Sequence, residues 1–165
     1  MPRRTFQGSI RNLSYKLRKF NDILGDCLTE CIQQDENFII SLVCDIQLYE
    51  RGENGKAGGH LGNGVEIWSY APYAPRTIKN KKKAGQPYDR VTLKKTGAFY
   101  RSLYLQMDED GFSIESSDSK ANKLKEKYGD SILRLSDYHF KLYLKFLRER
   151  RLMPMLKAKL MEGVK

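Results

Sequence analysis

The chain has 165 residues, a length typical of one domain, and 30 Lys and Arg against 20 Asp and Glu give it a formal net charge of +10. Hydrophobic residues make up 40% of the chain, which is enough for a buried core and too much for a disordered protein. The longest apolar run, residues 38–44, is far shorter than the roughly 18 residues of a membrane span, and no signal-peptide pattern follows Met1. We therefore expect a soluble protein made in a reducing cytoplasm.

The first part of the chain divides into a basic arm and a long helix. Residues 1–20 contain Lys and Arg but no acid, which predicts a basic N-terminal arm. From Asn21, apolar residues recur every three or four positions, which predicts one helix to about Tyr49. Cys27 and Cys31, four apart with no His nearby, do not have the spacing of a zinc site. We expect small buried hydrophobic residues there, and neither a disulfide nor a metal site.

A glycine-rich segment, residues 51–64, follows the predicted helix. Six of its fourteen residues are Gly, which predicts a flexible loop. Its glycines match neither the spacing of a Walker phosphate loop nor the strand–loop–helix context of a dinucleotide-binding loop. Residues 65–70 alternate apolar and polar residues roughly and are predicted to form a short strand.

Most of the excess positive charge lies in one segment. Between Arg76 and Arg101 there are nine Lys or Arg and a single acid, Asp89. Because this stretch shows no helical periodicity, we predict an exposed basic loop over residues 71–95, which faces a partner or DNA or is simply solvated. The candidate contact residues are Arg76, Lys79, Lys81, Lys82, Lys83, Arg90, Lys94 and Lys95.

A turn motif and a hairpin come next. Thr96 and Gly97 predict a turn in which Gly adopts a positive φ, while Phe99 anchors the following strand and Ser102 bonds locally. Residues 103–107 and 112–116 alternate around an Asp-Glu-Asp-Gly turn, which predicts a β-hairpin.

The C-terminal part is predicted to be helical. A short helix is expected from the cap at Asp118 to Gly129, and a longer helix from Ser136, which Pro154 should break or kink. The predicted fold class is therefore α+β, with a long N-terminal helix, a small antiparallel sheet with a hairpin, and C-terminal helices. We expect residues 21–165 to form a single domain.

The sequence offers no candidate catalytic, cofactor or metal site. It has only two His, of which His60 lies in the glycine-rich loop and His139 in a predicted helix, and both are better explained by surface or packing roles. It contains neither a nucleophile elbow nor a zinc-protease signature. Asp45 and Glu50 beside Arg51 could form a nuclease-like cluster, but a chain with twenty acids offers many such pairs. We expect no enzyme activity, no cofactor and no small-molecule substrate.

Several segments resemble structural proteins of tailed phages, particularly those of phages and prophages of gut Bacteroides-type bacteria. The matching segments are residues 47–53 with Gly55, 73–77, 85–93, 93–103, 120–124 and 128–136, of which Leu-Lys-Lys-Thr-Gly-Ala-Phe-Tyr-Arg-Ser-Leu (93–103) is the most specific. The Thr-Gly element of this stretch is also similar to a turn of head–tail connector and tail-completion proteins. The chain departs from the pattern in its longer glycine run and in Ala98, where the family has an acid, so a particular ring position does not follow.

The resemblance implies a virion subunit, made in the host cytoplasm, that forms a ring between portal or neck and tail. Its implied partners are other copies of itself and neighbouring portal, neck or tail proteins. The basic loop would then contact either an acidic neighbour or the backbone of packaged DNA. The alternative from a different class is a stand-alone basic protein that binds nucleic acid, with Tyr73 and Tyr88 available for stacking on single strands. No helix-turn-helix, zinc finger or RNA-recognition motif supports that alternative.

Overall fold

The computed structural model describes residues 6–49, 73–88, 91–108 and 111–162, with the backbone alone for residues 6–10. The α-helices are α1 (Phe6–Gln34), α2 (Glu36–Ser41), α3 (Pro75–Lys83), α4 (Ala98–Arg101), α5 (Ala121–Tyr128), α6 (Asp137–Phe146) and α7 (Met153–Glu162). Two π-helical segments, Leu42–Tyr49 and Leu147–Leu152, follow α2 and α6, and a 3₁₀ turn spans Asp130–Leu133. Strands β1 (Leu103–Asp108) and β2 (Gly111–Ser116) form a two-stranded antiparallel sheet.

The predicted fold class is confirmed: the chain is mostly helical, with a long N-terminal helix, a small antiparallel sheet and C-terminal helices. The chain divides into two compact units. Unit 1 combines Met1–Gln34 with Lys145–Lys165, and unit 2 comprises Asp35–Leu144. The single domain expected over residues 21–165 stays a prediction. The glycine-rich loop 51–64 and the predicted strand 65–70 lie outside the described residues.

The predicted first helix differs from the observed one at both ends. Helix α1 begins at Phe6, well before the expected start at Asn21, because residues 6–20 are rich in Leu, Lys and Arg, which favour helix. At the other end, the predicted helix to Tyr49 is divided at Asp35, which has non-helical backbone angles (φ −92°, ψ 7°). The remainder continues as α2 and a π-helical segment, so a single α-helix to Tyr49 is wrong.

Unit 1 is held together by contacts between α1 and the C-terminal helical run. Cys27 and Cys31 are fully buried, and the Cys31 sulfur lies 3.7 Å from the sulfur of Met155. The Lys159 ammonium lies 2.9 Å from a carboxylate oxygen of Glu30. The helical run continues through Pro154, and the π-helical register lies immediately before it. Such a register shift accommodates a residue that lacks a backbone N–H.

The core of unit 2 is built around an aromatic cluster. Tyr143 is fully buried, and its ring centroid lies 6.3 Å from that of Phe38 and 6.4 Å from that of Phe112. Ile39, Leu42, Val43 and Leu48 add a fully buried aliphatic layer. Helix α2, the hairpin and α6 therefore share one hydrophobic centre.

A buried glutamine joins the π-helical segment to the start of α6. The side-chain amide of Gln47 donates to the backbone oxygen of Arg134 (2.8 Å) and accepts from the backbone N–H of Ser136 (2.7 Å). Ser136 then caps α6, because its hydroxyl accepts from the backbone N–H of His139 and lies 2.8 Å from the ring Nδ1. Gln47 and His139 are both buried. Each of these polar groups is bonded, so His139 has the packing role that the sequence indicated.

The predicted hairpin is formed by β1 and β2. Leu103 pairs with Ser116, Leu105 with Ile114 and Asp108 with Gly111. The alternation along β1 places Leu103 and Leu105 inward and Tyr104 outward. Glu36 at the start of α2 accepts a hydrogen bond from the backbone N–H of Leu105 (2.9 Å), which fixes the hairpin to the helix.

Candidate partner-binding surface

The central part of the predicted basic loop is a helix. Pro75 occupies the first turn of α3, where its fixed φ is favourable and its missing N–H costs nothing. Lys81, Lys82 and Lys83 occupy the last turn, where cations interact favourably with the helix dipole. The prediction of a loop throughout residues 71–95 is therefore wrong for Pro75–Lys83. These terminal signals were visible in the sequence, but the short helix lacks the apolar repeat by which helices are usually detected.

One side of α3 presents a row of exposed cations. Arg76, Lys79 and Lys83 lie at spacings of three and four, which places them on one helix face, and Lys82 lies beside them. From the helical rise, this row is about 10 Å long. Helix α3 contains no acid, so nothing within it offsets the charge. We call Arg76, Lys79, Lys82 and Lys83 the α3 ridge.

Lys81 is the exception among the predicted contact residues, because it points inward. Its side chain is only 5% exposed. Its ammonium donates to the Thr92 hydroxyl (3.1 Å) and to the Lys94 carbonyl oxygen (2.9 Å), and lies 5.1 Å from the centre of the Tyr73 ring. The prediction that Lys81 faces a partner or DNA is wrong, since the ammonium is enclosed by the segment that it holds in place.

The other predicted contact residues fall into different classes. Lys95 is exposed, whereas Arg90 lies outside the described residues. Lys94 is half-buried, and its ammonium lies 4.3 Å from the ring centre of Tyr49 and 5.4 Å from that of Tyr100. Contacts of this kind hold a cation against an aromatic face. Lys94 is therefore fixed in position, and the α3 ridge with Lys95 forms the freely accessible basic surface.

The Thr96–Gly97 turn has the predicted backbone conformation. Gly97 has φ +77°, and the Thr96 hydroxyl accepts from the backbone N–H of Ala98 (3.3 Å). Phe99 is buried, and the Ser102 hydroxyl donates to the Phe99 carbonyl oxygen (2.6 Å), as the sequence indicated. The one-turn helix α4 separates this turn from β1, so the strand does not follow directly.

Replacing Gly97 by alanine is expected to lower the free energy of unfolding by about 1–2 kcal/mol, because φ +77° is unfavourable for a residue with a Cβ. The added Cβ would also lie 2.8 Å from Nη1 of Arg101, the atom that donates to the Thr96 carbonyl oxygen. Chemical denaturation of both proteins measures the difference. Gly97→Asn is the control, since Asn tolerates this conformation better; equal losses for Ala and Asn would contradict the explanation.

A shallow pocket of about 300 Å³ opens next to this turn. Its polar lining consists of Asn37, Ser41, Asp45, Lys94 and Arg101. Its remaining walls include Ile40, Cys44 and Tyr100. The Tyr100 hydroxyl donates a short hydrogen bond to the Thr92 carbonyl oxygen, and burial raises the pKa of Tyr100. The pocket thus combines two cations and one carboxylate at the edge of the sequence motif.

Cys44 in this pocket should make stability decrease at high pH. Burial raises the pKa of its thiol from 9.0 to about 12, the Asp45 carboxylate acts in the same direction, and Lys94 opposes both. Since the unfolded thiol ionises first, the free energy of unfolding should fall as the pH rises from about 9 toward 12, by up to about 1.4 kcal/mol per pH unit.

Denaturation of the native protein and of Cys44→Ala between pH 8 and 11 tests this expectation. The variant should show a shallower decline over that range. Identical slopes would show that the burial of Cys44 makes no contribution to the pH dependence.

The described residues contain no cluster of His, Cys, Asp and Glu that could hold a metal ion. In the same ranges, no helix is long and apolar enough to cross a membrane. The three cysteines are buried, as expected for small core residues. Of the candidate cluster Asp45, Glu50 and Arg51, the last two residues lie outside the described ranges. His60 also lies outside them.

Comparisons with known proteins assign the chain to no family: no family model, no curated protein and no solved structure matches it.

Proposed function

We propose that the protein is a structural subunit of a phage virion, and that it forms part of a ring that joins portal or neck to tail. The proposal begins from the sequence resemblance of residues 93–103 and the neighbouring segments to phage connector proteins. The observation that supports it best is the amount of large apolar surface that the single chain leaves exposed. On α6, Tyr138, Phe140, Leu142 and Leu144 are each more than 40% exposed.

Exposed apolar faces of this kind are typical of proteins that assemble. A monomeric protein usually distributes its exposed apolar residues singly, whereas interaction surfaces group them. On α6, Tyr138 and Leu142 lie four residues apart, as do Phe140 and Leu144, so each pair is contiguous on the helix surface. The two pairs lie about 160° apart around the helix axis, on either side of the buried Tyr143. A ring subunit has a neighbour on each side, and head-to-tail contacts with these neighbours would cover the two pairs.

The α3 ridge has a place in this proposal as the surface that meets a polyanion. Its four cations without an intervening acid suit the DNA backbone or an acidic neighbouring ring. The same ridge is the observation that favours the alternative function, a stand-alone nucleic-acid-binding protein. The two proposals differ in self-association, because the alternative needs no contact between copies.

Light scattering and negative-stain imaging of the full-length protein, at about 0.1 M and 0.5 M salt, test the proposal. We expect rings, either of the protein alone or on addition of a purified portal-like ring. Leu142→Glu should prevent ring formation, whereas Lys141→Glu at the exposed neighbouring position should not. A monomer under all conditions would overturn the proposal, and salt-sensitive DNA binding by that monomer would support the alternative.

A further inference from the structure

Helix α1 carries a regular apolar seam that the chain itself covers only in part. Leu13, Leu17, Phe20, Leu24, Cys27 and Cys31 follow one another at alternating spacings of four and three. This heptad spacing places all six side chains along one side of the helix, and it is typical of helices that pair with another helix. The seam belongs entirely to unit 1.

Burial changes steadily along this seam. Cys27 and Cys31 are fully buried, and the Cys31 sulfur contacts Met155 of α7. Towards the N-terminus, Phe20 is 38% exposed, Leu17 is 54% exposed and Leu13 is 59% exposed. The C-terminal half of the seam is therefore packed against helices of the same chain, while the N-terminal half, the open seam Leu13–Phe20, presents three large apolar side chains to solvent.

We infer that a second copy of α1 covers the open seam, and that the two helices run antiparallel. The covered half already shows that this seam packs against a helix, and a second copy presents the same heptad spacing. In an antiparallel pair, Leu17 of each copy lies near Phe20 of the other, and Leu13 lies near Leu24. Such a contact is two-fold and self-complementary.

Charge and space both favour the antiparallel arrangement over the parallel one. Arg11, Lys16, Arg18 and Lys19 make the first part of the described helix basic, whereas Asp22, Asp26 and Glu30 make the last part acidic. Antiparallel pairing moves the basic part of each copy towards the acidic part of the other, and parallel pairing sets like charges side by side. The antiparallel arrangement also places the two C-terminal helical runs at opposite ends of the pair, where they do not compete for space.

The C-terminal run of a second copy is a less suitable occupant. Residues 145–159 contain Lys145, Arg148, Arg150, Arg151, Lys157 and Lys159 with one acid, Glu149. A run with this charge would be repelled by the cations of the first half of α1. An antiparallel copy of α1 combines apolar complementarity with the better charge balance.

The first test is the mass of the full-length protein over a range of concentrations, measured by sedimentation. The native protein should form dimers or even-numbered assemblies. Leu17→Glu should raise the dissociation constant of this contact by at least about 100-fold, since the pairing buries the side chain from both copies. Tyr15→Glu is the matched control, because Tyr15 is 66% exposed and lies on the opposite side of α1. Circular dichroism of both variants checks that they stay folded.

A second test distinguishes the orientation. A mixture of Leu13→Cys and Leu24→Cys proteins should form the 13–24 disulfide on mild oxidation, and Leu13→Cys alone should form none. Disulfides in the Leu13→Cys protein alone would overturn the antiparallel arrangement. Self-association that Leu17→Glu leaves unchanged, or a native protein that stays monomeric at about 1 mM, would overturn the pairing itself.

The inference does not depend on the phage proposal. A two-fold contact through α1 is separate from the head-to-tail contact that closes a ring. Dimers without rings would therefore support the α1 pairing and count against the proposed function. Rings that persist in Leu17→Glu would support the proposed function and count against the α1 pairing.

Discussion

Replacing Lys81 by methionine is expected to lower the free energy of unfolding by about 2–3 kcal/mol. Methionine keeps an apolar stem of similar length but removes the ammonium. The Thr92 hydroxyl and the Lys94 carbonyl oxygen would then lose a donor that lies 3.1 and 2.9 Å away. Hydrogen bonds to a charged group contribute about 1.5–3 kcal/mol, and a buried acceptor left without a donor costs a comparable amount. Urea denaturation, followed by far-ultraviolet circular dichroism, measures the loss.

The matched control is Lys82→Met on the adjacent residue of the same helix. Lys82 is exposed, and its side chain has one described contact, in which the ammonium lies 4.6 Å from the centre of the Tyr88 ring. Its replacement should change stability by no more than about 0.5 kcal/mol. Equal effects of the two substitutions would show that the inward bonds of Lys81 do not stabilise the fold.

The inward position of Lys81 could not be predicted from the basic run alone. In the sequence, Lys81, Lys82 and Lys83 are three equivalent members of a basic run. What distinguishes Lys81 is the position of Thr92 and Lys94, which come close only because the chain turns back after α3. Its spacing from Thr77 and Ile78 was the available signal, since both are half-buried and share its helix face. A cation on the less exposed side of a short helix is therefore better predicted to be buried than to face a partner.

Secondary structure could be predicted from the sequence where neighbouring residues alone determine it. The β-hairpin follows from alternation and a turn sequence, and the positive φ of Gly97 from the lack of a Cβ. Each needs no information from a distant residue. The fold class could be predicted for the same reason. The predicted cap at Asp118 was wrong, because α5 begins at Ala121 with Lys120 at its N-cap, and the Asp118 carboxylate accepts from the backbone N–H of Lys120.

Features that depend on distant partners could not be predicted in this way. The division of the first helix at Asp35 was not predicted, because the apolar spacing continues on both sides of this residue, which is the one polar interruption of the stripe. Gln47 bonds to residues 134 and 136, almost ninety positions away, so nothing local marks it as a bridge. The pocket likewise combines residues of α2 with residues of the Thr96–Gly97 turn.

Reversing the charge of the α3 ridge is expected to have the largest effect on binding. The triple variant Arg76→Glu, Lys79→Glu and Lys83→Glu should reduce affinity for a short DNA duplex by about 100-fold or more near 0.1 M salt, since each phosphate contact releases a counterion. The slope of log affinity against log salt should become shallower by about 0.9 for each lost contact, or about 2.7 in all. Fluorescence anisotropy over a salt series measures both quantities.

The matched control reverses three exposed lysines of another helical region in unit 2, Lys120, Lys123 and Lys127. Both triple variants change the net charge by the same amount, so a general electrostatic effect would weaken binding equally. The control lysines have the same spacing as Arg76, Lys79 and Lys83, but the acid Glu126 lies among them, whereas α3 contains no acid. We therefore expect the control to retain most of its affinity. Native protein that fails to bind the duplex would contradict DNA binding by the ridge. Equal losses in the two variants would show that overall charge, and not the ridge, attracts DNA.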